Sequence, residues 1–333
     1  MNSANTPVVG IDVSKKKLDV ALLMDGKLKF KVVENKAEGH KDLVKWLEKQ
    51  GARVGDIHVC MESTGVYSEP AALALHEVGF KVSIVNPNLV NKFGQSLAVR
   101  NKNDKVDAGV IARYCAMNQP PLWEPPAPEV KALRGWDGHM AALQAMRQQE
   151  LNRIEANDVN GDEDVAERIR KHVDFIDEEI KDLQKKIDDH IDRHPHLKRD
   201  ADLLTSIPGI AAKTAAKVLA RVGDLRRFSS AKKLAAYLGV TPKQRQSGSS
   251  VRGRTTMSHM GSREVRTALY FPAVSAMRYN PLIRDFAARL KATGMATMAV
   301  IGAVMRKLVH QMYGVVCSGK PFDPNHLGTL NTA

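Results

Sequence analysis

The sequence predicts an α/β domain with strands of mixed direction, then a long helical arm and a mainly helical, basic C-terminal domain. Three observations predict this class: a three-strand run leading into alternating helices and strands, an amphipathic helical region after a proline-rich break, and a marked charge asymmetry. The 333 residues are 43% hydrophobic and 26% charged, which is typical of a globular protein and excludes a disordered or fibrous chain.

Membrane and disulfide classes are not indicated by the sequence. No apolar run approaches the ~18 residues of a membrane span, and the N-terminus lacks the pattern of a signal peptide. Cys60, Cys115 and Cys317 lie far apart and form no Cys-x-x-Cys pair. We therefore expect neither a disulfide framework nor a zinc site, and we expect a protein of the reducing cytoplasm.

The N-terminal strands are predicted from short apolar or alternating runs. Residues 8–12, 18–22 and 28–33 form a predicted meander, with the turn-like pair Asp25-Gly26 before the third strand. Further elements alternate between helix and strand: a helix near 43–47, a strand at 57–61, a helix at 71–78 and a strand at 82–85. This order predicts a mixed α/β sheet.

Four acidic residues give this region its chemistry. Asp12 and Glu62 stand at the carboxyl ends of apolar strands, where open α/β sheets usually place their sites. Asp104 and Asp107 are three residues apart, which places them on one face if a helix begins there. Each feature alone also fits a turn-forming aspartate or a helix cap. Four neighbouring carboxylates would repel one another unless divalent cations neutralised them, and their oxygen atoms suit Mg²⁺ or Mn²⁺.

The proline-rich segment at 120–128 marks a break before the helical arm. A first long helix is predicted at about 130–155 and a second after a polar interruption at 157–164. The second helix carries apolar residues at steps of three and four, the pattern of a coiled coil or helical hairpin: Val165, Ile169, Val173, Ile176, Ile180, Leu183, Ile187 and Ile191. The seam could pack within one chain, but we favour self-association.

The last third of the chain is strongly basic. Residues 202–333 hold 20 Lys and Arg against 5 Asp and Glu, so this part alone exceeds the net charge of +13 of the whole chain. Such a domain indicates an anionic polymer partner, most simply nucleic acid, although a cationic surface that serves solubility is the alternative.

Two segments of this basic domain are candidates for phosphate contact. Ile207-Pro-Gly-Ile210 before an alanine-rich helix resembles a helix-hairpin-helix turn, with Lys213 in its first turn. Residues 241–254 form a predicted flexible loop rich in Gly and Ser, and its cations are candidate nucleic-acid ligands: Lys243, Arg245, Arg252 and Arg254.

Five ordered motifs resemble one family over nearly the whole chain. They are Gly-Ile-Asp12-Val-Ser-Lys, Met-Glu62-Ser-Thr-Gly, Asn-Lys-x-Asp104-x-x-Asp107-Ala, Ile-Pro-Gly-Ile and Ser247-Gly-Ser-Ser-Val-Arg-Gly. The family is that of the DEDD insertion-sequence transposases related to the Piv DNA invertase, described as bridge-RNA-guided recombinases.

The resemblance implies a RuvC-like (RNase H-like) domain at 1–128, in which Asp12, Glu62, Asp104 and Asp107 hold Mg²⁺, with Mn²⁺ tolerated. It implies a coiled-coil dimerisation arm at 129–200 and a transposase domain at 201–333. A serine nucleophile in that last domain maps to Ser247, with Ser249 and Ser250 as further candidates. It also implies a noncoding guide RNA that pairs with donor and target DNA.

These implications predict cleavage and exchange of DNA strands through a covalent phosphoserine intermediate, which would conserve each broken phosphodiester. Because donor and target must be held together, we expect dimers that pair into a tetramer. The main alternative is a RuvC-like nuclease or junction resolvase that uses water as its nucleophile. An actin-like sugar kinase and a non-enzymatic nucleic-acid-binding protein explain fewer of these features: the first lacks its glycine-rich loops, and the second leaves the four acids without a role.

Overall fold

The computed structural model describes residues 6–97, 103–247, 251–258 and 260–325, with the backbone alone at 244–247 and 251–254. The chain divides into two compact units, residues 1–125 and 126–333. The three-domain division at 128 and 200 that the sequence suggests stays a prediction.

The first unit is built on a five-stranded sheet in the order β3-β2-β1-β4-β5. β1 pairs antiparallel with β2, which pairs antiparallel with β3, whereas β1, β4 and β5 run parallel. Asp25 and Gly26 both have positive φ, as a two-residue hairpin turn requires, and they join β2 to β3. The elements are β1 (Val8–Val13), β2 (Lys17–Met24), β3 (Lys27–Glu34), α1 (Ala37–Lys49), β4 (His58–Glu62), α2 (Ser68–Val78), β5 (Lys81–Val85), α3 (Pro87–Ser96) and α4 (Asp104–Asn118).

The pleat of the strands assigns alternate residues to opposite faces of this sheet. Val9, Ile11 and Val13 of β1 join the core formed with α1 and α2. Gly10 and Asp12 therefore belong to the opposite face, against which α4 packs. The same alternation places three more polar residues on that face: Lys17 and Asp19 of β2 and Glu62 of β4.

Helix α4 approaches β1 as closely as two backbones can. A Cβ atom on Gly10 would lie 2.2 Å from the backbone nitrogen of Ala112 and 2.3 Å from the carbonyl oxygen of Ala108. Both alanines are fully buried, together with Ala21 of β2. Small residues on both sides thus set the distance between the helix and the strand that carries Asp12.

The second unit begins with a pair of long helices, α5 (Pro128–Asn160) and α6 (Glu163–Arg193), which pack against each other. Most of the predicted seam of α6 is buried within this one chain, although Val165 is exposed. The packing alternative for the seam is therefore confirmed, and self-association through the arm stays a prediction. The turn between the helices is shorter than the polar interruption predicted at 157–164, because α5 extends to Asn160.

The remaining elements of this unit form a mainly helical domain with a single small hairpin among the described residues. They are α7 (Pro195–Thr205), α8 (Ala212–Val222), α9 (Ala231–Tyr237), β6 (Pro242–Ser247), β7 (Val251–Met257), α10 (Arg263–Ala268), α11 (Tyr270–Tyr279), α12 (Pro281–Ala292) and α13 (Thr297–Ser318). Between α7 and α8, Gly209 has a φ of 104° and packs against Ala276, where a Cβ atom would come within 2.9 Å of the alanine. Glycine is the residue that tolerates this turn.

The predicted flexible loop at 241–254 is wrong. β6 and β7 pair antiparallel there, with Gln246 opposite Arg252 and Ser247 opposite Val251. The Gly and Ser content led to the assignment of the whole segment as loop. β7, however, contains good β-formers such as Val251, Thr255 and Thr256, and the polar strand β6 pairs with it.

The predicted fold class is confirmed. The strand order, in which β2 runs antiparallel to both of its neighbours, is the RNase H-like arrangement found in RuvC-like domains. The rest of the chain is mostly helical. Among the residues that the structure describes, no helix combines the length and apolarity needed to cross a membrane.

Candidate carboxylate metal centre

The first two predicted acids lie at neighbouring positions of adjacent parallel strands. β1 and β4 are in register through Ile11 and Met61, and Asp12 and Glu62 are the next residue of each strand. Both side chains are partly exposed. The carboxyl ends of parallel strands meet at one edge of a sheet, so the strand order alone explains why these residues are neighbours.

The other two acids open helix α4. The side chain of Asn103 accepts a hydrogen bond of 2.9 Å from the backbone nitrogen of Val106 and thereby caps the helix. Asp104 and Asp107 then fall in its first turn, where the helix dipole favours negative charge. The predicted helix start at these residues is confirmed by this cap.

Electrostatics indicate that the carboxylates converge on Asp12. Partial burial, followed by the negative charges of Asp104, Asp107 and Asp19, raises the pKa of Asp12 from its ordinary 3.8 to about 6, and the Lys17 ammonium opposes this shift. The fold therefore brings Asp104 and Asp107 near enough to Asp12 to repel its charge.

A lysine ammonium bridges two of the carboxylates. Lys17 Nζ lies 2.7 Å from Asp104 Oδ2 and 3.0 Å from Asp19 Oδ2. Its hydrogen bonds hold the pKa of Asp104 below its usual range and raise the pKa of Lys17 itself. β2 thus reaches the first turn of α4 through an ion pair that crosses the site.

These residues fit a hard divalent cation by their chemistry. The donors are carboxylate oxygens, they crowd one another enough to shift the pKa of Asp12, and they already hold one cationic group. Within the described residues, however, no set of three or more His, Cys, Asp and Glu side chains is close enough to share an ion.

Asp19 and Lys17 were not predicted as site residues. Asp19 is only 7% exposed and stands directly opposite Asp12 in the β1–β2 ladder. The signal was available, because an ionisable residue at an inward position of an otherwise apolar strand indicates a partner or a function. Only the pairing register, however, could place it beside Asp12.

The remaining predicted site residues belong to the second unit. Lys213 is exposed in the first turn of α8, and Lys243 is exposed on β6. Ser247, Arg245, Arg252 and Arg254 have a described backbone in the β6–β7 hairpin, but their side chains lie outside the description, as do Ser249 and Ser250 entirely.

Two family models match the chain. A model of DEDD transposases of the IS110 type matches residues 9–157, and a model described as "Transposase IS116/IS110/IS902 family" matches residues 201–288. The first match contains all four predicted acids, and the second contains the helix-hairpin-helix turn and the hairpin.

Individual relatives agree with these models. The chain is 34% identical to the pilin gene-inverting proteins of Moraxella bovis and Moraxella lacunata, over 95% of this chain and 97% of each relative. It is 28% identical to an uncharacterised protein of insertion element IS110 from Streptomyces coelicolor, over 44% of this chain and 35% of that protein. Among solved structures, RuvC of T. thermophilus bound to a Holliday junction matches with 14% identity and a TM-score of 0.26, covering 34% of this chain and 96% of RuvC.

The matches contradict the predicted phosphoserine intermediate. The family model that covers the first unit is that of the DEDD transposases, which cleave DNA by metal-dependent catalysis at acidic residues, as RuvC-like domains do. The prediction of a serine nucleophile is therefore wrong on this finding, and the alternative of a water nucleophile activated at the acidic site fits better.

Both the catalytic type and the cofactor follow from the matched family. A DEDD site on a RuvC-like fold uses a divalent metal, typically Mg²⁺, which confirms the predicted cofactor, and its substrate is DNA. The enzyme is accordingly a transposase or recombinase. The two models and the nearly full-length similarity to the pilin gene-inverting proteins show that this chain belongs to the IS116/IS110/IS902 family of transposases.

Proposed function

We propose that this transposase cleaves DNA strands at the carboxylates Asp12, Glu62, Asp104 and Asp107, with water as the attacking nucleophile. The observation that carries the proposal is the group of carboxylates on the α4 face of the sheet, where partial burial and then the charges of Asp104, Asp107 and Asp19 raise the pKa of Asp12 to about 6. Carboxylates that repel one another at the carboxyl edge of an α/β sheet are typical of a metal-dependent phosphoryl-transfer site.

The carboxylates would hold the metal, and their partial burial limits the screening of their charge by water. Divalent metal, when bound, would supply the positive charge that stabilises the attacking and leaving oxygens of the phosphodiester. Asp12 lies on β1, on the face that packs against α4, and is half-buried. Its charge is therefore less screened by water than that of a surface acid. Asp104 and Asp107 approach the same position from the helix.

Strand exchange can follow hydrolysis without an outside energy source. Attack by water on the phosphorus leaves a 5′-phosphate on one side and a free 3′-hydroxyl on the other. That 3′-hydroxyl can attack a second phosphodiester, forming one new P–O bond while an equivalent one breaks, so the number of phosphodiesters is unchanged in this step. The name of the Moraxella relatives, which refers to gene inversion, supports a reaction that rejoins DNA.

We assign DNA binding to the second unit. Its cations, including Lys213 at the start of α8 and Lys243 on β6, together with Arg245, Arg252 and Arg254 of the hairpin, would contact phosphates without reading the bases. The turn at Gly209 also presents the N-terminus of α8, a position suited to a phosphate.

The decisive experiment compares acid and serine variants on the same DNA. Asp12→Asn and Asp107→Asn should lower Mg²⁺-dependent cleavage by on the order of 100-fold or more, because several kcal/mol of charge stabilisation depends on each ligand. Ser247→Ala should leave cleavage near the wild-type rate. Asp42→Asn, a change of an exposed acid on α1, is the matched control.

A loss of cleavage in Ser247→Ala, or a protein–DNA adduct detected by mass spectrometry, would overturn the assignment of water as the nucleophile. Unchanged cleavage in Asp12→Asn would overturn the acidic site itself. Denaturing gels measure cleavage by all the variants, and mass spectrometry detects any adduct.

We further propose a noncoding guide RNA that pairs with donor and target DNA, on the strength of the sequence resemblance. Sequencing of RNA that co-purifies with the protein should return one enriched species, and its removal should abolish target choice but leave binding to DNA backbone. A uniform mixture of cellular RNA fragments would contradict the proposal.

Assembly into dimers that pair as a tetramer is proposed for the synaptic complex, in the bacterial cytoplasm and on the nucleoid where the DNA substrate lies. Its support is the need to hold donor and target together and the exposed apolar side chains of the arm, such as Phe175 at 62% exposure and Met146 at 47%. Analytical ultracentrifugation with and without DNA measures it directly, and a monomer under both conditions would refute it.

A further inference from the structure

We propose that Lys17 is a built-in competitor of the metal ion: its ammonium holds Asp104 away from the metal-bound arrangement and is displaced when a divalent cation binds. This inference rests on the proposed function, since it concerns the same carboxylates. It assigns a role to Lys17 and Asp19, two residues outside the four-acid motif.

The first argument is the position of the ammonium. Lys17 Nζ contacts Asp104 Oδ2 at 2.7 Å and Asp19 Oδ2 at 3.0 Å, so it occupies a place where a cation is shared between two carboxylates of different elements. A metal ion that takes Asp104 as a ligand needs the oxygen that Lys17 now holds. The two cations therefore compete for Asp104.

The second argument is that the lysine is positioned by its backbone. In the short turn before β2, the Ser14 nitrogen and hydroxyl donate to the Lys17 carbonyl at 3.0 and 2.9 Å. Asn35 holds the same turn by donating to the Ser14 carbonyl at 2.9 Å, and the ring of His40 lies 3.0 Å from the Asn35 side-chain oxygen. The backbone of the lysine is thus fixed, while its side chain is 43% exposed, which leaves solvent-accessible space into which the ammonium can turn.

The third argument is charge. Asp12 stands directly opposite Asp19 in the β1–β2 ladder, and the one ammonium of Lys17 is already shared between Asp19 and Asp104, so it cannot balance all of these carboxylates. The metal-free site therefore keeps an excess of negative charge that attracts a divalent ion, while the lysine limits the repulsion until that ion arrives.

The test is the affinity of the full-length protein for Mn²⁺ alone, measured by titration calorimetry without DNA. Lys17→Gln should bind Mn²⁺ roughly tenfold more tightly, because removal of a unit charge a few ångströms from the site lowers the competition by an amount of that order. Lys17→Arg keeps the charge and should stay near the wild-type affinity. Lys16→Gln, which changes the neighbouring exposed lysine, is the matched control.

A second readout uses thermal unfolding of the same proteins. In EDTA, Lys17→Gln should unfold at a lower temperature than wild type, since its carboxylates lose their counter-charge, and Mn²⁺ should raise its unfolding temperature by a larger increment. This measurement applies even where calorimetry is limited by protein yield.

The possible outcomes separate the two proposals. Equal Mn²⁺ affinities for wild type and Lys17→Gln, or equally tight binding by Lys17→Arg and Lys17→Gln, would overturn the role of Lys17 and leave the acidic site in place. The absence of Mn²⁺ binding in wild type and every variant would overturn the acidic metal site, and the competition with it.

Discussion

Single residues determine how closely the catalytic helix approaches the strand that carries Asp12. Gly10 lies in the middle of β1 and faces Ala108 and Ala112 across a gap that no further atom can enter. The contact partners are backbone atoms, which cannot move aside by changing a rotamer. The position of Asp104 and Asp107 over the sheet therefore depends on the absence of one methyl group.

Substitution of Gly10 by alanine should destabilise the first unit by about 1–3 kcal/mol or more, as overpacking in a rigid core does. It should also reduce Mg²⁺-dependent cleavage, because α4 must shift to make room. Urea denaturation and the cleavage assay measure the two effects.

Gly109→Ala is the control on the same helix. There a Cβ atom would meet Leu28 Cδ1 at 3.5 Å, an ordinary contact, and alanine should stabilise the helix by about 0.5–1 kcal/mol. Equal effects of the two substitutions on stability and cleavage would show that the close approach at Gly10 does not require glycine.

The places of the four acids in the fold could be predicted from sequence because each follows a local signal, a strand end or a helix start, whereas their role as metal ligands stays a prediction. Asp19 and Lys17 could not, since their significance depends on the register Asp12↔Asp19 and on an ion pair across 87 residues of sequence. The chemical role of Ser247 was predicted from resemblance alone and is the part that the family match contradicts.

Between elements, a buried ion-pair cluster in the second unit joins the arm to the helix-hairpin-helix region. Asp137 on α5 is 6% exposed and accepts hydrogen bonds from Lys217 at 2.6 Å and Arg221 at 2.7 Å, both on α8. Two cations on one buried carboxylate leave its oxygens well satisfied. The start of the arm and α8 are consequently held as one body.

Asp137→Asn should lower the free energy of unfolding of the second unit by about 3 kcal/mol, because it leaves two partly buried cations without their counter-charge. The matched control is Asp177→Asn, which breaks the exposed pair of Arg147 and Asp177 between α5 and α6 and should cost about 0–1 kcal/mol. Urea denaturation monitored by circular dichroism compares them, and a similar loss in both would refute the special role of Asp137.

The hairpin of β6 and β7 shows why elements are harder to predict than residue classes. Gly and Ser content predicted a loop, yet the ladder from Pro242↔Met257 to Ser247↔Val251 is formed by pairing that a single strand does not reveal. The long helices were predictable because their 3.6-residue period is repeated many times. Short, polar strands carry no such repetition.

On the scale of the whole molecule, positive charge is concentrated in the second unit. Part of this charge is neutralised by ion pairs with acidic residues of the same unit. Lys217 and Arg221 pair with Asp137, and Arg226 donates a bidentate pair of hydrogen bonds to Asp200 at 2.7 and 2.8 Å. Cations held by buried acids contribute less to a phosphate-binding surface. Lys213 and Lys243 are among the cations of this unit that are exposed at the surface.

DNA binding should accordingly weaken steeply with salt, since each phosphate contact releases a counterion. Arg245→Gln should reduce the slope of log K against log salt by about 1, whereas Lys41→Gln, on the first unit, should leave it unchanged. Filter binding to duplex DNA at 50–200 mM salt, about the range over which such slopes are measured, gives the comparison. A flat dependence would contradict the assignment of the basic unit to DNA.

The end of the first unit is fastened to the sheet before the second unit begins. The Trp123 nitrogen donates to the Val82 carbonyl at 2.6 Å, and the Ser83 hydroxyl donates to the Pro121 carbonyl at 2.7 Å. All five strands and α4 lie upstream of this segment. Since domains fold as units from the N-terminus during synthesis, a nascent chain completes its carboxylate site while the basic unit is still being translated. On the ribosome, the unit with the candidate metal site is therefore formed before the unit that we propose binds DNA.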